Sequence, residues 1–408
     1  MLEFDRQSAF DPALAAEFLA ALPSKPAVLL IEPRAELPGA RPLLLRTADL
    51  RRRLTLLLGP RDPASKRIHL GEYAAGIRYR LTGSPFEQAL VQWQHARALW
   101  PHAYREKLRL RAPALVKLAL ANAYPRAYVT RRITGRGANN GTRLGVDFPA
   151  ANPPRGGLYF GPFASRRAAE AFLVPLLDLF RMRRCQIRIR RDPEFPGCIY
   201  SEMKMCLAPC FAGCTDAEYA SEVTRVRAFL LTRGASLSDE LSRERESASG
   251  ALDFERAAAL HRRLEKVGAV RQALPDIARP IEDLNAVILQ RSAEKNTVAV
   301  FALRRGLTSD PFLLQFAELA TRPRSAEQIL REVLQPDPAT AAGIHAYSDG
   351  STRAESEDHL ALLARWFYAR PRLGEIFFPD AKSDWPFRRI LRACARLLAP
   401  APAPEHPA

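Results

Sequence analysis

The stretch RRCQIRIRRDPEFPGCIYSEMKMCLAPC, residues 183–210, constrains this chain more than any other. It holds Cys185, Cys198, Cys206 and Cys210, spaced C-x12-C-x7-C-x3-C, and Cys214 follows four residues later; the whole chain has only 6 cysteines. Four thiolates that converge on one point hold a soft metal or an iron–sulfur cluster, and so order a loop-rich segment with little core of its own. Buried, inert thiols are the first alternative, since free cysteine is among the most buried residue types. Against it, Pro196, Gly197, Pro209 and the surrounding arginines read as loop. Disulfides are the second, and they fit poorly with a chain that shows no export signal.

Charge points to the partner. The chain of 408 residues carries a formal net charge of +17, mostly as arginine, whose planar fork of donors grips phosphate. A genome bias would explain arginine over lysine but not the excess of positive charge. The balance predicts a polyanionic partner, most simply nucleic acid, bound with release of counterions. At 47% hydrophobic and 26% charged residues the composition is that of a globular protein of two to four domains. The opening residues MLEFDRQSAFDPALAAEFLAALP carry acids where a signal peptide needs bases, and no apolar run is long enough for a bilayer, so a cytoplasmic location is expected.

Residues 1–23 read as one amphipathic helix with Phe10, Leu14, Phe18, Leu19 and Leu22 on a stripe. AVLLIEP (27–33) and RPLLLRT (41–47) read as a hairpin; DLRRRLTLLLG, capped by Asp49, and FEQALVQWQHARALW (86–100) read as helices. The pieces LPSKPAVLLI, LLLRTADLRRRL and FEQALVQWQHARALWP resemble the GIY-YIG endonuclease domain of the UvrC family of excinuclease proteins. Carried over by position, Leu29 and Leu43 stand where that family has its motif tyrosines, Leu45 where it has the motif glycine and Arg46 where it has lysine. Arg53 matches the catalytic arginine, Gln92 replaces the metal-binding glutamate and Tyr104 a later asparagine. A neutral amide holds magnesium poorly and leucine transfers no proton, so the resemblance implies a degenerate nuclease domain in which Arg46 and Arg53 are what remains of the catalytic set. An active endonuclease with rearranged residues, Glu87 serving as the metal ligand, is the alternative. Arg51, Arg52 and Arg53 are either a phosphate contact or a solvated helix face.

From Trp100 to Leu120 the basic, Ala/Leu-rich sequence reads as helix, and YPRAYVTRRIT (124–134) as a strand bringing Arg126, Arg131 and Arg132. GLYFGPF (157–163), a helix over about 165–180, the cysteine spacing with CLAPC, and DAEYASEVTRVRAFLL (216–231) again resemble the UvrC family. There four cysteines ligate an iron–sulfur cluster, which assigns Cys185, Cys198, Cys206 and Cys210 here; a 4Fe-4S cluster is implied, with zinc as the alternative. Cys214 has no counterpart among those ligands. A strand over 188–191 would turn Ile187 and Ile189 inward and Arg188 and Arg190 outward, and these two with Arg191 are expected nucleic-acid contacts. Tyr159, Phe160 and Phe163 either stack on bases or pack.

LDFERAAALHRRL (252–264) resembles the UVR motif shared by the excinuclease proteins UvrB and UvrC, and implies an antiparallel helical hairpin. Leu252, Phe254, Ala257, Ala258 and Leu260 form its apolar face, which a lone hairpin cannot bury, so UvrB is the implied partner beside DNA; docking on the chain's own neighbour is the other reading. Residues 283–319 read as two or three strands, followed by a helix at 325–334, a helix and a strand over 357–378 and a closing helix at 384–400, like the family segment before its second nuclease. Asp349 and Asp358 read as isolated acids on a loop and a helix start, and His345 as a surface loop residue.

The expected fold is mixed α+β and multidomain: a GIY-YIG-like unit at 1–105, a basic cysteine region at 106–215, a helical segment with the UVR hairpin at 216–272, an αβ unit at 273–400 and a disordered tail at 401–408. The expected function is a truncated, non-catalytic UvrC-like DNA-binding protein of nucleotide excision repair. A UVR-bearing adaptor that senses metal or redox state is the third reading.

Overall fold

Three antiparallel sheets with helices between and around them organise the chain, an α+β architecture. The computed structural model describes residues 3–60, 68–134, 157–316, 324–334, 350–380 and 383–399. His345, Asp349 and the tail at 401–408 lie outside the described residues.

The first sheet has the order β1-β4-β2-β3, formed by β1 (Arg6–Ala9), β2 (Ala27–Pro33), β3 (Leu43–Thr47) and β4 (Ala74–Leu81). Here the expected single helix over 1–23 is corrected: Arg6–Ala9 is an edge strand on β4, and helix α1 (Ala15–Ala21) forms only after Asp11 and Pro12 start a turn. A four-residue polar edge strand has no sequence period of its own; its order comes from the ladder of β4. Both faces of β2 are buried, so it reads as a continuous apolar run. Leu29 and Ile31 meet Leu50 and Leu54 of α2 (Leu50–Leu58), while Val28 and Leu30 join the core around α3 (Pro85–Leu99). Asp49 caps α2 by accepting from the Arg52 N–H at 2.9 Å.

After the single turn α4 (Tyr104–Lys107), the expected helix to Leu120 gives way to β5 (Ala114–Leu118). Pro113 stops a helix, and all five residues of β5 are buried at the centre of the second sheet, β6-β5-β7-β8. Its other strands are β6 (Ala127–Thr130), β7 (Leu158–Phe163) and β8 (Arg279–Pro280). Two glycines of the aromatic strand are dictated by close approach: a Cβ on Gly157 (φ +120°) would stand 2.5 Å from the Leu118 carbonyl oxygen, and one on Gly161 (φ +154°) 2.8 Å from Leu115 Cδ2.

Helix α5 (Arg166–Asp178) covers this sheet with Phe172, Leu173 and Leu176. The four-residue turn α6 (Ile199–Glu202) lies in the cysteine loop, and α7 (Asp216–Leu231), α8 (Ala235–Gly250) and α9 (Phe254–Gln272) extend the same core through Tyr219, Val226, Leu241, Leu260, Val267 and Val270.

The third sheet runs β11-β10-β9-β13, with β12 also on β10; its strands are β9 (Ala286–Arg291), β10 (Thr297–Arg304), β11 (Leu307–Thr308), β12 (Phe312–Gln315) and β13 (Glu375–Phe377). Helices α10 (Ala326–Leu334) and α12 (Phe387–Leu398) pack on one face through Leu330, Ile390 and Cys394. Helix α11 (Gly350–Phe367) and α3 fill the other, where Phe86, Leu90, Phe301, Leu360 and Trp366 share one core. The N-terminal and C-terminal sheets are thereby joined through two helices. No described helix is long and apolar enough to cross a membrane.

Candidate nucleic-acid interface and cysteine centre

The cysteine segment has no strand. Residues 181–198 are irregular, and the expected strand over 188–191 is corrected: Ile187 is 49% exposed, and the backbone is held by a side chain in place of a neighbouring strand. That side chain is Arg183, which is 5% exposed. Its Nε donates to the Tyr124 carbonyl at 2.8 Å, and its Nη1 to the Ile187 carbonyl at 2.9 Å, with Cys185 Sγ 3.7 Å away. Tyr219, fully buried, donates its hydroxyl to the Pro125 carbonyl at 2.7 Å and accepts the Arg183 N–H at 3.3 Å. Left-handed backbone at Ala208 and Ala212 wraps the chain around Pro209–Phe211.

The four cysteines assigned by family position are electrostatic neighbours. The Cys206 thiol is pushed up to about 11, mainly by burial and also by the charges of Cys185, Cys198 and Cys210, against the downward pull of the Ala208 N–H. Cys210 is raised by burial, opposed by the Phe211 N–H, and also by Cys198 and Cys185. Cys214, raised by burial, feels Arg191, Glu218, Asp216 and Arg181. It packs in the core of the second sheet.

The donor set suits a thiolate centre in its chemistry. The Ala208 N–H points at Cys206 Sγ at 3.2 Å, and Arg183 is a buried cation whose acceptors are backbone carbonyls and a cysteine sulfur, with no carboxylate among the described residues. Buried charges require compensation, and thiolates held by a metal or cluster supply negative charge there. Among the described residues no three cysteine, histidine, aspartate or glutamate side chains converge closely enough to hold a metal ion. The cysteines therefore match such a group in type and neighbourhood and not in distance.

At the positions aligned with the nuclease motifs, Leu29 is fully buried and pairs with Leu45 across β2–β3 and with Tyr79 across β2–β4. Arg53 is exposed on α2. Arg46, on β3, is lowered first by burial and then by the charge of Arg365. Glu87 is 4% exposed, and its Oε2 accepts the Gly83 N–H at 2.8 Å while Ser84 Oγ accepts the Glu87 N–H at 3.1 Å. The pair closes the start of α3, and burial raises the Glu87 carboxyl. Asp358 differs most from expectation. It lies within α11, is 2% exposed, and accepts from Trp93 Nε1 (3.1 Å), Tyr104 Oη (2.5 Å) and Arg105 Nε (2.7 Å).

Of the arginines expected to face nucleic acid, Arg52, Arg131, Arg132, Arg188 and Arg190 are exposed. Arg51 Nε is tied to the Leu22 carbonyl at 2.6 Å. Arg191 is an anchor: it meets Asp216 at 2.7 Å and the Cys214 carbonyl at 2.7 Å. Arg131 stands in an open groove with Arg109, Arg111 and Arg365, three residues with no motif to mark them. Tyr159, Phe160 and Phe163 are all buried, so they pack.

The hairpin of α8 and α9 turns at Leu252 (φ +61°), with Asp253 accepting the Arg256 N–H at 3.0 Å. Its base docks on its own chain through Leu260 and Val267, with Ala257 packed alongside. This corrects the expectation of one free apolar face. Leu252 (71% exposed), Phe254 (66% exposed) and Ala258 remain outside at the tip.

The family model described as "UvrC/Cho excinuclease, middle domain" matches residues 117–229, which hold the end of β5, β6, β7, α5, the cysteine segment and most of α7. UvrABC system protein C of Moorella thermoacetica is 27% identical over 323 residues, 78% of this chain and 48% of that protein. The middle of the chain is thus similar to the UvrC family. UvrABC system protein C of Rickettsia africae is 30% identical over 207 residues (49% of this chain, 32% of that protein), and that of Idiomarina loihiensis 32% over 204 residues (44% and 33%). The chain thus spans about half or less of the length of these UvrC relatives. No solved structure matches it.

Proposed function

We propose that this chain is a UvrC-like DNA-binding protein of nucleotide excision repair whose first unit, residues 1–105, holds nucleic acid without cutting it. The observation that carries this reading is the state of the positions aligned with the nuclease motifs. Leu29 is buried in an apolar core and pairs with the half-buried Leu45, Gln92 offers a neutral amide, and the one nearby acid of α3, Glu87, is buried and engaged by the Gly83 N–H. Hydrolysis of a phosphodiester needs a base or a metal-bound water, and neither leucine nor a capped, buried carboxyl serves. The burial of Glu87 also weighs against a rearranged nuclease that would use it.

The net charge of +17 and the exposed Arg52, Arg53, Arg131 and Arg132 support the binding half of the proposal. In this reading Cys185, Cys198, Cys206 and Cys210 take up an iron–sulfur cluster or zinc. Binding would draw the sulfurs together, and the group would supply negative charge opposite Arg183 and fix the arginine-bearing loop. The exposed hairpin tip, Leu252 and Phe254, would meet a second helical hairpin on the UvrB partner.

Titration of the purified chain with bubble-containing duplex DNA tests the proposal. Affinity is expected to fall by about 10³-fold or more between roughly 50 and 200 mM salt. Absence of DNA binding at low salt would overturn it.

A further inference from the structure

An open groove enclosing about 350 Å³ lies between the loop after α4, the end of β6, the turn after β7 and the last turns of α11. Four arginines from positions distant in sequence line it: Arg109, Arg111, Arg131 and Arg365. All four residues are exposed. Like charges gathered in one place repel each other, so a cluster of this kind is stabilised by an anion between its members.

The acids of the neighbouring helix do not fill that role. Glu355 pairs with Arg97 at 3.1 Å, Glu357 with Arg105 at 3.5 Å, and Asp358 with Arg105 at 2.7 Å. No described carboxylate pairs with Arg109, Arg111, Arg131 or Arg365, so the positive charge of the groove is uncompensated within the described residues.

The cluster is also built. Arg365 Nη2 donates to the Arg109 carbonyl at 2.9 Å, which fixes one guanidinium across the groove. Arg109 adopts a left-handed backbone (φ +49°) that non-glycine residues rarely take, and the bond from the Leu110 N–H to the Arg105 carbonyl (2.8 Å) holds the turn. Small residues Ala112, Ala114 and Ala164 and the buried Phe163 also line it, with Tyr368, whose hydroxyl donates to the Pro162 carbonyl at 2.9 Å. Several arginine forks lining one small groove suit a tetrahedral oxyanion, which a point charge such as lysine would recognise less specifically.

We infer that the Arg109–Arg111–Arg131–Arg365 groove is a phosphate site that takes one phosphodiester of a nucleic-acid strand. This rests on the DNA-binding reading above and assigns it a location. Of these residues only Arg131 lies in a motif-like stretch of the sequence. A free nucleotide offers the same phosphate chemistry, and the test separates the two sources.

The test uses the full chain and a fluorescein-labelled single strand of about 15 nucleotides, read by anisotropy between roughly 50 and 200 mM salt. The variants are Arg111→Gln, which leaves the Arg365–Arg109 contact in place, and Arg111→Gln with Arg131→Gln; thermal melting checks that each is folded. The double variant is expected to lose about 10-fold in affinity at the lower salt, and the slope of log affinity against log salt is expected to flatten by about 1.4, two contacts at about 0.7 each. Deoxyadenosine monophosphate and inorganic phosphate are expected to displace the strand only at concentrations far above the strand's own.

Unchanged affinity and slope in both variants, with the parent still binding, would overturn the groove assignment alone. A parent that binds no strand would overturn the DNA-binding reading itself. A mononucleotide that binds the parent as tightly as the strand, and is lost in the variants, would overturn the assignment to a strand.

Discussion

Asp358→Ala is predicted to be among the most destabilising single substitutions in the chain. The carboxylate sits 2% exposed between two parts of the molecule about 250 residues apart in sequence and accepts three hydrogen bonds. Trp93 and Tyr104 are themselves buried, at 3% and 7% exposure, so their N–H and O–H cannot turn to water when the acceptor is removed. Each orphaned donor costs about 1–3 kcal/mol. Arg105 keeps 41% of its side chain exposed, so its share is discounted for solvent screening. The sum is about 3–5 kcal/mol, the range for breaking a buried charged pair by deleting one partner. At about 2–4 °C per kcal/mol, the melting transition is expected to drop on the order of 6–20 °C. Asp358→Asn, which keeps one acceptor, is expected to cost about half as much. Calorimetry with a tryptophan-fluorescence melt is the assay, and Asp178→Ala, which removes a half-exposed ion pair with Arg184, is the control at under about 1 kcal/mol. A variant melting within about 1 °C of the parent would refute the latch.

Three further outcomes follow from the same structure. Burial lowers His359 to about 4 from its ordinary 6.5, against the upward pull of Glu355 and Asp358, and its Nδ1 accepts the Thr308 N–H at 2.8 Å. Because the folded value lies below the unfolded one, its contribution is whole above pH 6.5 and is lost as pH falls toward 4, on the order of 3 kcal/mol; His359→Gln should flatten a melting-versus-pH curve in that window, and an unchanged curve would count against it. For the cysteine centre, Cys206→Ser or Arg183→Gln should strip iron or zinc from anaerobically purified protein while Cys214→Ser keeps it, measured by metal analysis and visible absorbance; equal content in all three variants, or a metal-free parent, would remove the proposed centre. Phe254→Ala should abolish calorimetric binding to the UVR hairpin of UvrB with less than about 0.5 kcal/mol change in stability, because the ring is 66% exposed; binding that ignores the substitution would return the tip to an unpartnered surface.

What could be read from the sequence followed from local patterns. The β2–β3 hairpin, the capped helices α2 and α5 and the α8–α9 hairpin all carry their own period or cap, and the cysteines are grouped by their spacing. Arg6–Ala9 and Ala114–Leu118 were illegible because an edge strand and a central strand acquire order from partners far along the chain; Ala/Leu composition favours helix until a sheet overrides it. Asp358 and the arginine groove were hidden for the same reason, since each is assembled from segments about 230–260 residues apart. Arg183 had a signal in its position two residues before Cys185, but only burial separates it from the exposed arginines around it.

The central claim is a nuclease fold that binds and does not cut. Incubating the purified chain with supercoiled plasmid and magnesium or manganese tests it most directly. Shifted plasmid with no nicked product at any protein concentration is the expected result. Metal-dependent nicking that is lost on Arg53→Ala would contradict it.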